Sequence, residues 1–281
     1  MSADGTLFLR IDGVDADPAA AAVAGSDRGL NYGDGVFRTV RVHGGQITAW
    51  VRHAQKLASD LDRLGLARPD LARIEGDLVQ LGARHPECVA RITVTAGASA
   101  RGYRRADGGV PLTTIVRATA LPEWPDHIAR RGIELRLCSL RLADQPVLAG
   151  VKHLNRLEQV LARAEWDDPR ISEGLTLDVA GHAICGTMSN LFIVEGGRLA
   201  TPDLARCGVE GVQRGRILDW ARARAMPATV EPLSLDRVCS ADGLVLCNSV
   251  IGAWWVNRFE GRRYARPAWH AELAAELDRD G

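Results

Sequence analysis

Lysine is nearly missing from this 281-residue sequence: of 35 basic residues, Lys56 and Lys152 are lysines and the others are arginines. A guanidinium does not give up its proton in a protein, so chemistry that needs a free side-chain amine has two candidates. Net charge is missing as well. The 35 acidic residues cancel the basic ones, which excludes the global field that holds nucleic acid or an anionic membrane surface. A small neutral or anionic metabolite handled by local charges is left. No segment approaches the roughly 20 apolar residues of a membrane span, and Met1-Ser2-Ala3-Asp4-Gly5 has neither the basic start nor the apolar stretch of a secretory signal. The cysteines Cys88, Cys138, Cys185, Cys207, Cys239 and Cys247 include no C-x-x-C pair, which is neither a zinc pattern nor a disulfide scaffold. A soluble chain in a reducing cytoplasm is expected.

Common catalytic motifs are absent too. Gly33-Asp34-Gly35-Val36-Phe37-Arg38 begins like a dinucleotide fingerprint, but its last position is arginine and no strand-turn-helix frame surrounds it. There is no Walker lysine loop, no H-E-x-x-H and no G-x-S-x-G. Nicotinamide, nucleotide, zinc-protease and serine-hydrolase chemistry are disfavoured together.

What is present is enough apolar residue, 46% of the chain, to bury one or two cores, and the usual domain size favours two. Alternation predicts strands over 7–11, 88–96 and 113–117. Trp50, Ala54, Leu57, Leu61 and Leu64 form the stripe of an amphipathic helix, and a second helix is predicted over 69–83. Ala120-Leu121-Pro122-Glu123-Trp124-Pro125 fits neither a helix interior nor a central strand. It is the candidate linker, so that 1–119 form a smaller α+β domain, 120–126 the connection and 127–281 a larger α+β domain. In the latter, strands are expected over 133–137, 175–178, 190–194 and 244–248, with helices over 154–166 and from about Gly211. This interleaving is too irregular for a doubly wound sheet, and two α+β domains meeting at a cleft fit better.

Two lysines can survive by chance on an arginine-rich surface, but the surroundings of Lys152 argue for more. It lies in Gly150-Val151-Lys152-His153-Leu154-Asn155-Arg156-Leu157-Glu158-Gln159, ahead of a helix whose apolar positions are Leu154, Leu157, Leu161 and Ala164. This run resembles the K-x-L-N-R-L-E-Q segment around the cofactor lysine of the 4-amino-4-deoxychorismate lyases, in the branched-chain and D-amino-acid aminotransferase fold group. Ser26-Asp27-Arg28-Gly29-Leu30-Asn31-Tyr32-Gly33-Asp34-Gly35-Val36-Phe37-Arg38-Thr39 and Cys185-Gly186-Thr187-Met188-Ser189-Asn190-Leu191-Phe192 resemble the same family in the same order. The resemblance covers about residues 5 to 258.

That resemblance implies a two-domain α+β, fold type IV enzyme with pyridoxal 5'-phosphate (PLP) in the interdomain cleft, acting as a homodimer on a small-molecule substrate. Lys152 would hold the cofactor as a Schiff base and, once displaced, serve as the base and acid that move the α-proton. Burial and the cofactor should depress its pKa from the ordinary value near 10.4. In Gly208-Val209-Glu210-Gly211-Val212-Gln213-Arg214 the first helical amides, of Val212 and Gln213, would face the phosphate. Ser249 would offer a second phosphate contact, with Asn248 as the alternative register. Lys56 stands where the family motif H-x-x-R-L has arginine; it would keep the charge and lose the bidentate fork, weakening cofactor retention, or else be a solvated helix residue. Arg101, in a glycine-rich R-G-Y loop, is the candidate substrate-carboxylate clamp, with Arg104 second; the bland alternative is a solvated hairpin tip.

Cys185 departs from the fold group, where most members have a glutamate paired with the protonated pyridine nitrogen. A thiol there is either a small buried apolar residue or a weak hydrogen-bond partner. Transamination must hold negative charge in the ring, whereas elimination from 4-amino-4-deoxychorismate expels enolpyruvate and makes the product aromatic. Cys185 therefore favours a lyase that yields 4-aminobenzoate and pyruvate, a step toward folate. The rivals are a D-amino-acid or branched-chain aminotransferase and a non-catalytic member of the fold.

Overall fold

The computed structural model describes residues 5–106, 110–125 and 127–278. The chain divides into two compact units. One contains the chain up to Pro122 together with Lys152–Asn155, and the other contains Glu123–Val151 and the chain from Arg156.

The first unit is built on a six-stranded antiparallel sheet of β1 (Thr6–Ile11), β2 (Val14–Asp15), β3 (Gly35–His43), β4 (Gln46–Ile47), β5 (Cys88–Thr95) and β6 (Thr113–Thr119), ordered β2-β1-β6-β5-β3-β4. Alternation decides the faces. On β5, Cys88, Ala90, Ile92 and Val94 are fully buried while Arg91 between them is exposed. The short α1 (Arg28–Tyr32) is capped by Asp27, whose carboxylate accepts the N–H groups of Gly29 and Leu30. The two longer helices lie where helices are expected, and α2 buries part of its expected stripe. In α2 (Trp50–Arg63) Leu57 and Leu61, and in α3 (Leu71–Arg84) Ile74, Leu78 and Leu81, are removed from water, each stabilising by roughly 1.5–3 kcal/mol. Asp70 caps α3 by accepting the Arg73 N–H at 3.0 Å.

Strand β3 has no counterpart among the sequence predictions, because its glycine start and the arginines Arg38 and Arg41 interrupt the apolar pattern. Arg38 nonetheless points inward, beside Val36, Val40 and Val42, and is 2% exposed. Buried charge of this kind survives only with a partner, and Asp60 of α2 supplies it.

The second unit holds a mixed sheet of β7 (Ile133–Leu142), β8 (Ile171–Asp178), β9 (His182–Gly186), β10 (Asn190–Glu195), β11 (Arg198–Pro202), β12 (Ala228–Glu231), β13 (Leu233–Ser234), β14 (Gly243–Asn248), β15 (Gly252–Phe259) and β16 (Arg262–Arg263). The order is β12-β11-β10-β14-β15-β7-β8-β9-β13, with β16 added to β15. β7 runs parallel to both β8 and β15. One further pair, Asn190 with Cys185, joins β10 to β9, so the path β10-β14-β15-β7-β8-β9 returns on itself. Leu135, Leu175, Leu191, Leu246, Val256 and Phe259 form its core. Its helices are α4 (His127–Arg131), α5 (Leu157–Arg163), α6 (Val212–Ala223), α7 (Leu235–Ser240) and α8 (His270–Asp278). Ile217, Trp220 and Ala221 of α6 pack with Leu273 and Leu277 of α8 over Phe192 and Val245.

Three expectations need correction. The lysine segment, expected in the second domain, groups with the first unit because its backbone pairs with β3. That pairing holds 152–155 extended and delays α5 to Leu157. The helix then faces the other way from its expected stripe: Ala162 is buried against Cys138 and Trp166, while Leu157, Val160 and Leu161 are exposed. The proposed linker is also divided. Residues up to Pro122 belong to the first unit, Trp124 stacks edge-on against Trp254 in the second, and Asp126 lies outside the described residues. Among the described residues no helix is long and apolar enough to cross a membrane, and all six cysteines are free thiols.

His270 opens α8 from a buried position. Arg266 Nε donates to its Nδ1 at 3.3 Å, and its Nε2 lies 3.1 Å from the Ala253 carbonyl. Burial, and then the Arg266 charge, push its pKa down to about 4. The unfolded chain binds this proton first, so stability is full above the unfolded value near 6.5 and is lost as pH falls toward 4. Urea denaturation should show a loss on the order of 2–3 kcal/mol from this one group between pH 7 and 4. The pH dependence should flatten by that amount in His270→Gln.

Candidate functional site

In the first unit the two lysines meet at one carboxylate. Asp60 sits one helical turn beyond Lys56, its side chain 0% exposed, and its Oδ1 accepts the Lys56 ammonium at 2.6 Å. Its Oδ2 accepts the main-chain N–H of Lys152 at 3.0 Å and a guanidinium N–H of Arg38. On the other edge of the segment, Phe37 N donates to the Lys152 carbonyl and Leu154 N to the Gly35 carbonyl, both at 3.0 Å. The Asn155 amide donates to the Gly33 carbonyl at 3.2 Å. Glycine is required at position 35, since a Cβ there would strike the Val94 carbonyl and the Leu154 side chain. From this pinned backbone the Lys152 amine extends over the Phe37 ring, with Nζ 4.6 Å from the centroid.

Arg101 is exposed on its loop, as is Arg104. The residue that ties this loop down is Arg28. Its guanidinium donates to Asp34 at 2.8 Å, to the Gly102 carbonyl at 3.0 Å and to the Tyr103 carbonyl at 2.8 Å, and it lies over the Tyr32 ring. Arg105 grips the same Asp34 at 2.5 Å. Burial raises the Asp34 pKa, but the hydrogen bonds from Arg105 and Arg28 outweigh it and hold the carboxyl below the ordinary range.

In the second unit Cys185 is 6% exposed, within an apolar cluster of Leu142, Ile184, Leu204 and Cys207. Its Sγ lies 3.6 Å from Thr176 Oγ1, whose hydroxyl donates to the Cys185 carbonyl at 2.8 Å. Burial pushes the neighbouring Cys207 thiol up to about 12, so it stays protonated. Asn190, paired with Cys185 across the strands, accepts the Gly211 N–H at 3.1 Å and donates to the Val209 carbonyl at 2.8 Å. The Cys185 strand and the start of α6 are therefore brought together by one amide. No side chain caps α6 and no acid lies in its first turn, an arrangement that leaves the amide end of the helix, at Val212 and Gln213, suited to an anion.

Ser249 lies in the turn after β14. Asn248, the alternative register, has its side chain in use: Oδ1 accepts the N–H groups of Val250 at 2.8 Å and Ile251 at 3.0 Å, and Nδ2 donates to the Met188 carbonyl at 3.0 Å. Among the described residues no group of His, Cys, Asp or Glu is placed to hold a metal ion.

Glu173 was not anticipated. Its carboxylate, 1% exposed, accepts Gly174 N at 2.9 Å, Thr187 N at 3.0 Å, Met188 N at 3.1 Å and the hydroxyls of Thr187 and Ser189. Five donors converge on one buried anion, which fixes the 187–189 turn between Cys185 and Asn190. An amide in its place must turn an N–H toward another donor, whichever way it faces. Glu173→Gln should therefore cost about 3 kcal/mol in urea denaturation, and Glu173→Ala at least as much.

The amino-transferase class IV family profile matches residues 35–259. The aminodeoxychorismate lyase of Vibrio harveyi is 34% identical over 229 residues, 80% of this chain and 83% of that protein. The solved 4-amino-4-deoxychorismate lyase of Pseudomonas aeruginosa matches with a TM-score of 0.91 and 37% identity, covering 98% of this chain and 100% of that one. A putative branched-chain-amino-acid aminotransferase of Methanocaldococcus jannaschii is 28% identical over 260 residues, 91% of this chain and 89% of that protein. With the pinned lysine, the Glu173-anchored turn and the α6 terminus all inside the matched span, the chain belongs to the amino-transferase class IV family.

Proposed function

We propose that this protein is a PLP-dependent lyase that converts 4-amino-4-deoxychorismate to 4-aminobenzoate and pyruvate, in folate biosynthesis. The observation that carries the proposal is a lysine, one of only two, whose main chain is clamped by Asp60 and Phe37, in a chain 37% identical over nearly its whole length to a solved lyase of that name. The residues suit the cofactor. Lys152 provides the amine, and the uncapped start of α6 provides the Val212 and Gln213 amides for a phosphate. The Ser249 hydroxyl and the Lys56 ammonium complete the proposed phosphate contacts, and Cys185 is assigned to the pyridine nitrogen.

When bound, PLP withdraws electrons from the amine-bearing carbon and so acidifies its C–H bond. Lys152 Nζ takes that proton, and its pinned backbone keeps the amine over one position while the enolpyruvyl C–O bond breaks. Loss of the proton and of enolpyruvate makes the six-membered ring aromatic, and enolpyruvate becomes pyruvate on gaining a proton. Arg101 is the proposed partner of a substrate carboxylate. A buried thiol at 185, held by Thr176 among apolar side chains, stabilises developing negative charge less than a carboxylate-paired pyridinium would. That suits an elimination driven by the substrate's own aromatisation.

The aminotransferase reading is favoured by relatives of that name, among them the 28% identical protein from M. jannaschii. Incubation with chorismate, glutamine and an aminodeoxychorismate synthase should yield 4-aminobenzoate with wild type and none with Lys152→Ala. Borohydride reduction followed by peptide mass spectrometry should place the cofactor on Lys152. Keto-acid formation from alanine or leucine as fast as 4-aminobenzoate formation would sink the lyase reading in favour of the transaminase.

We further propose that the enzyme works as a homodimer in the cytoplasm, where its six thiols stay reduced. Leu157, Val160 and Leu161, between 59% and 73% exposed on one short helix, support a second copy of the chain as the partner of that face. Sedimentation equilibrium should give twice the chain mass for wild type and a shift toward monomer for Leu161→Glu.

A further inference from the structure

Asp60 has no role in the proposed chemistry and no place in the motifs quoted from the sequence. Yet its carboxylate is fully buried and one of its oxygens accepts the main-chain N–H of the proposed cofactor lysine. Resting on the reading that Lys152 carries PLP, we propose that Asp60 is a positioning residue: one buried carboxylate fixes the main chain that bears the Lys152 amine and the Lys56 ammonium together.

The geometry divides the work between its two oxygens. Oδ1 holds Lys56 at 2.6 Å from one turn earlier on α2, and Oδ2 holds the Lys152 N–H at 3.0 Å from a segment 92 residues away in sequence. Arg38 shares Oδ2 and donates to the Lys56 carbonyl at 3.3 Å, locking the helix turn to β3. A carboxylate has about four lone-pair sites, so it can take these three donors at once, whereas a neutral amide has fewer acceptor sites and carries no charge. The charge matters because a buried anion beside two cations is favourable and two buried cations without it are not. Other charged or titratable groups on the neighbouring elements include Arg52, His53, Asp62 and Arg63 on α2, Arg41 and His43 on β3, His153 next to the lysine, and Arg91 of β5, which lies 3.8 Å from the Phe37 ring centroid. All three of these donors belong to the first unit, as Asp60 does.

The test uses the full-length holoenzyme and three variants, Asp60→Asn, Arg38→Gln and Lys56→Gln, with folding checked by circular dichroism. The pH midpoint of the visible absorbance of the lysine-bound cofactor is the first readout. Removing the anion should lower it by about one unit, and removing the Arg38 cation should raise it, for charges several ångströms from the amine. A residue with a merely structural role would not produce opposite signs. PLP dissociation constants by absorbance titration are the second readout. Lys56→Gln should weaken binding about tenfold in the wild-type background and less than about threefold once Asp60 is asparagine, because Lys56 is then no longer aimed. A midpoint that stays put in Asp60→Asn, or additive effects in the Lys56 cycle, overturns the proposal. Should Asp60→Asn not fold, the Arg38→Gln midpoint decides alone, upward in support and unchanged or downward against. Borohydride trapping of wild type keeps the two readings apart. A tag away from Lys152 defeats the cofactor assignment itself, whereas a tag on Lys152 with unmoved midpoints defeats only the role of Asp60.

Discussion

The Lys152 amine can be aimed only because the backbone on both sides of it is immobilised. A lysine side chain has four rotatable bonds and a large rotamer entropy, so a reactive amine at its end is placed no better than the backbone it leaves. Here the segment 152–155 runs extended against β3, with its Lys152 N–H on Asp60, its Lys152 carbonyl on Phe37 and its Asn155 amide on Gly33. Other features follow from that constraint. β3 needs Gly35 so that a second backbone can lie against it, α2 carries the buried acid that receives the Lys152 N–H, and α5 begins only after the segment paired with β3 ends.

The second unit solves a comparable problem with a different device. Its fixed polar corner is not on a helix but in a tight turn between β9 and β10, where backbone N–H groups point into the protein. Glu173 collects those donors as a buried anion, and Asn190 ties the same corner to the loop before α6. With this corner fixed, the uncapped start of α6 is a rigid feature, and an anion meeting it finds its amide donors already in place. Cys185 sits at the pair that closes the sheet path, a position that accommodates a small, buried, weakly polar side chain.

The parts of the site differed in how readable they were. Lys152 stood out by scarcity and by the run of residues around it, and the α6 start by its glycines. Asp60 carried a local signal, since an acid four residues beyond a lysine on a helix is a standard pairing, but nothing local told that its second oxygen would meet a backbone N–H from 92 residues away. Glu173 was less visible still, a single acid at the start of a buried strand whose donors arrive from the next hairpin. Arg38 was masked by its own charge, because an arginine in an alternating run reads as solvent-facing until its partner is known. The apolar stripe of α5 misled for the complementary reason: periodicity reports a face, not which side that face is turned to.

By itself the sequence determined the local matters: the alternating strands β5 and β6, the stripe of α2, the place of α3, and that Lys56 and Lys152 are the two side-chain amines. These depend on neighbours within a few residues, where side-chain spacing and backbone propensity act directly. Tertiary structure alone decided which unit the lysine segment joins, that Asp60 serves both lysines, that Glu173 gathers five donors, and that Leu157 and Leu161 face outward. Those outcomes are set by where distant chain segments bring their unsatisfied donors, acceptors and charges, and a buried polar group must find its partner wherever the fold puts one.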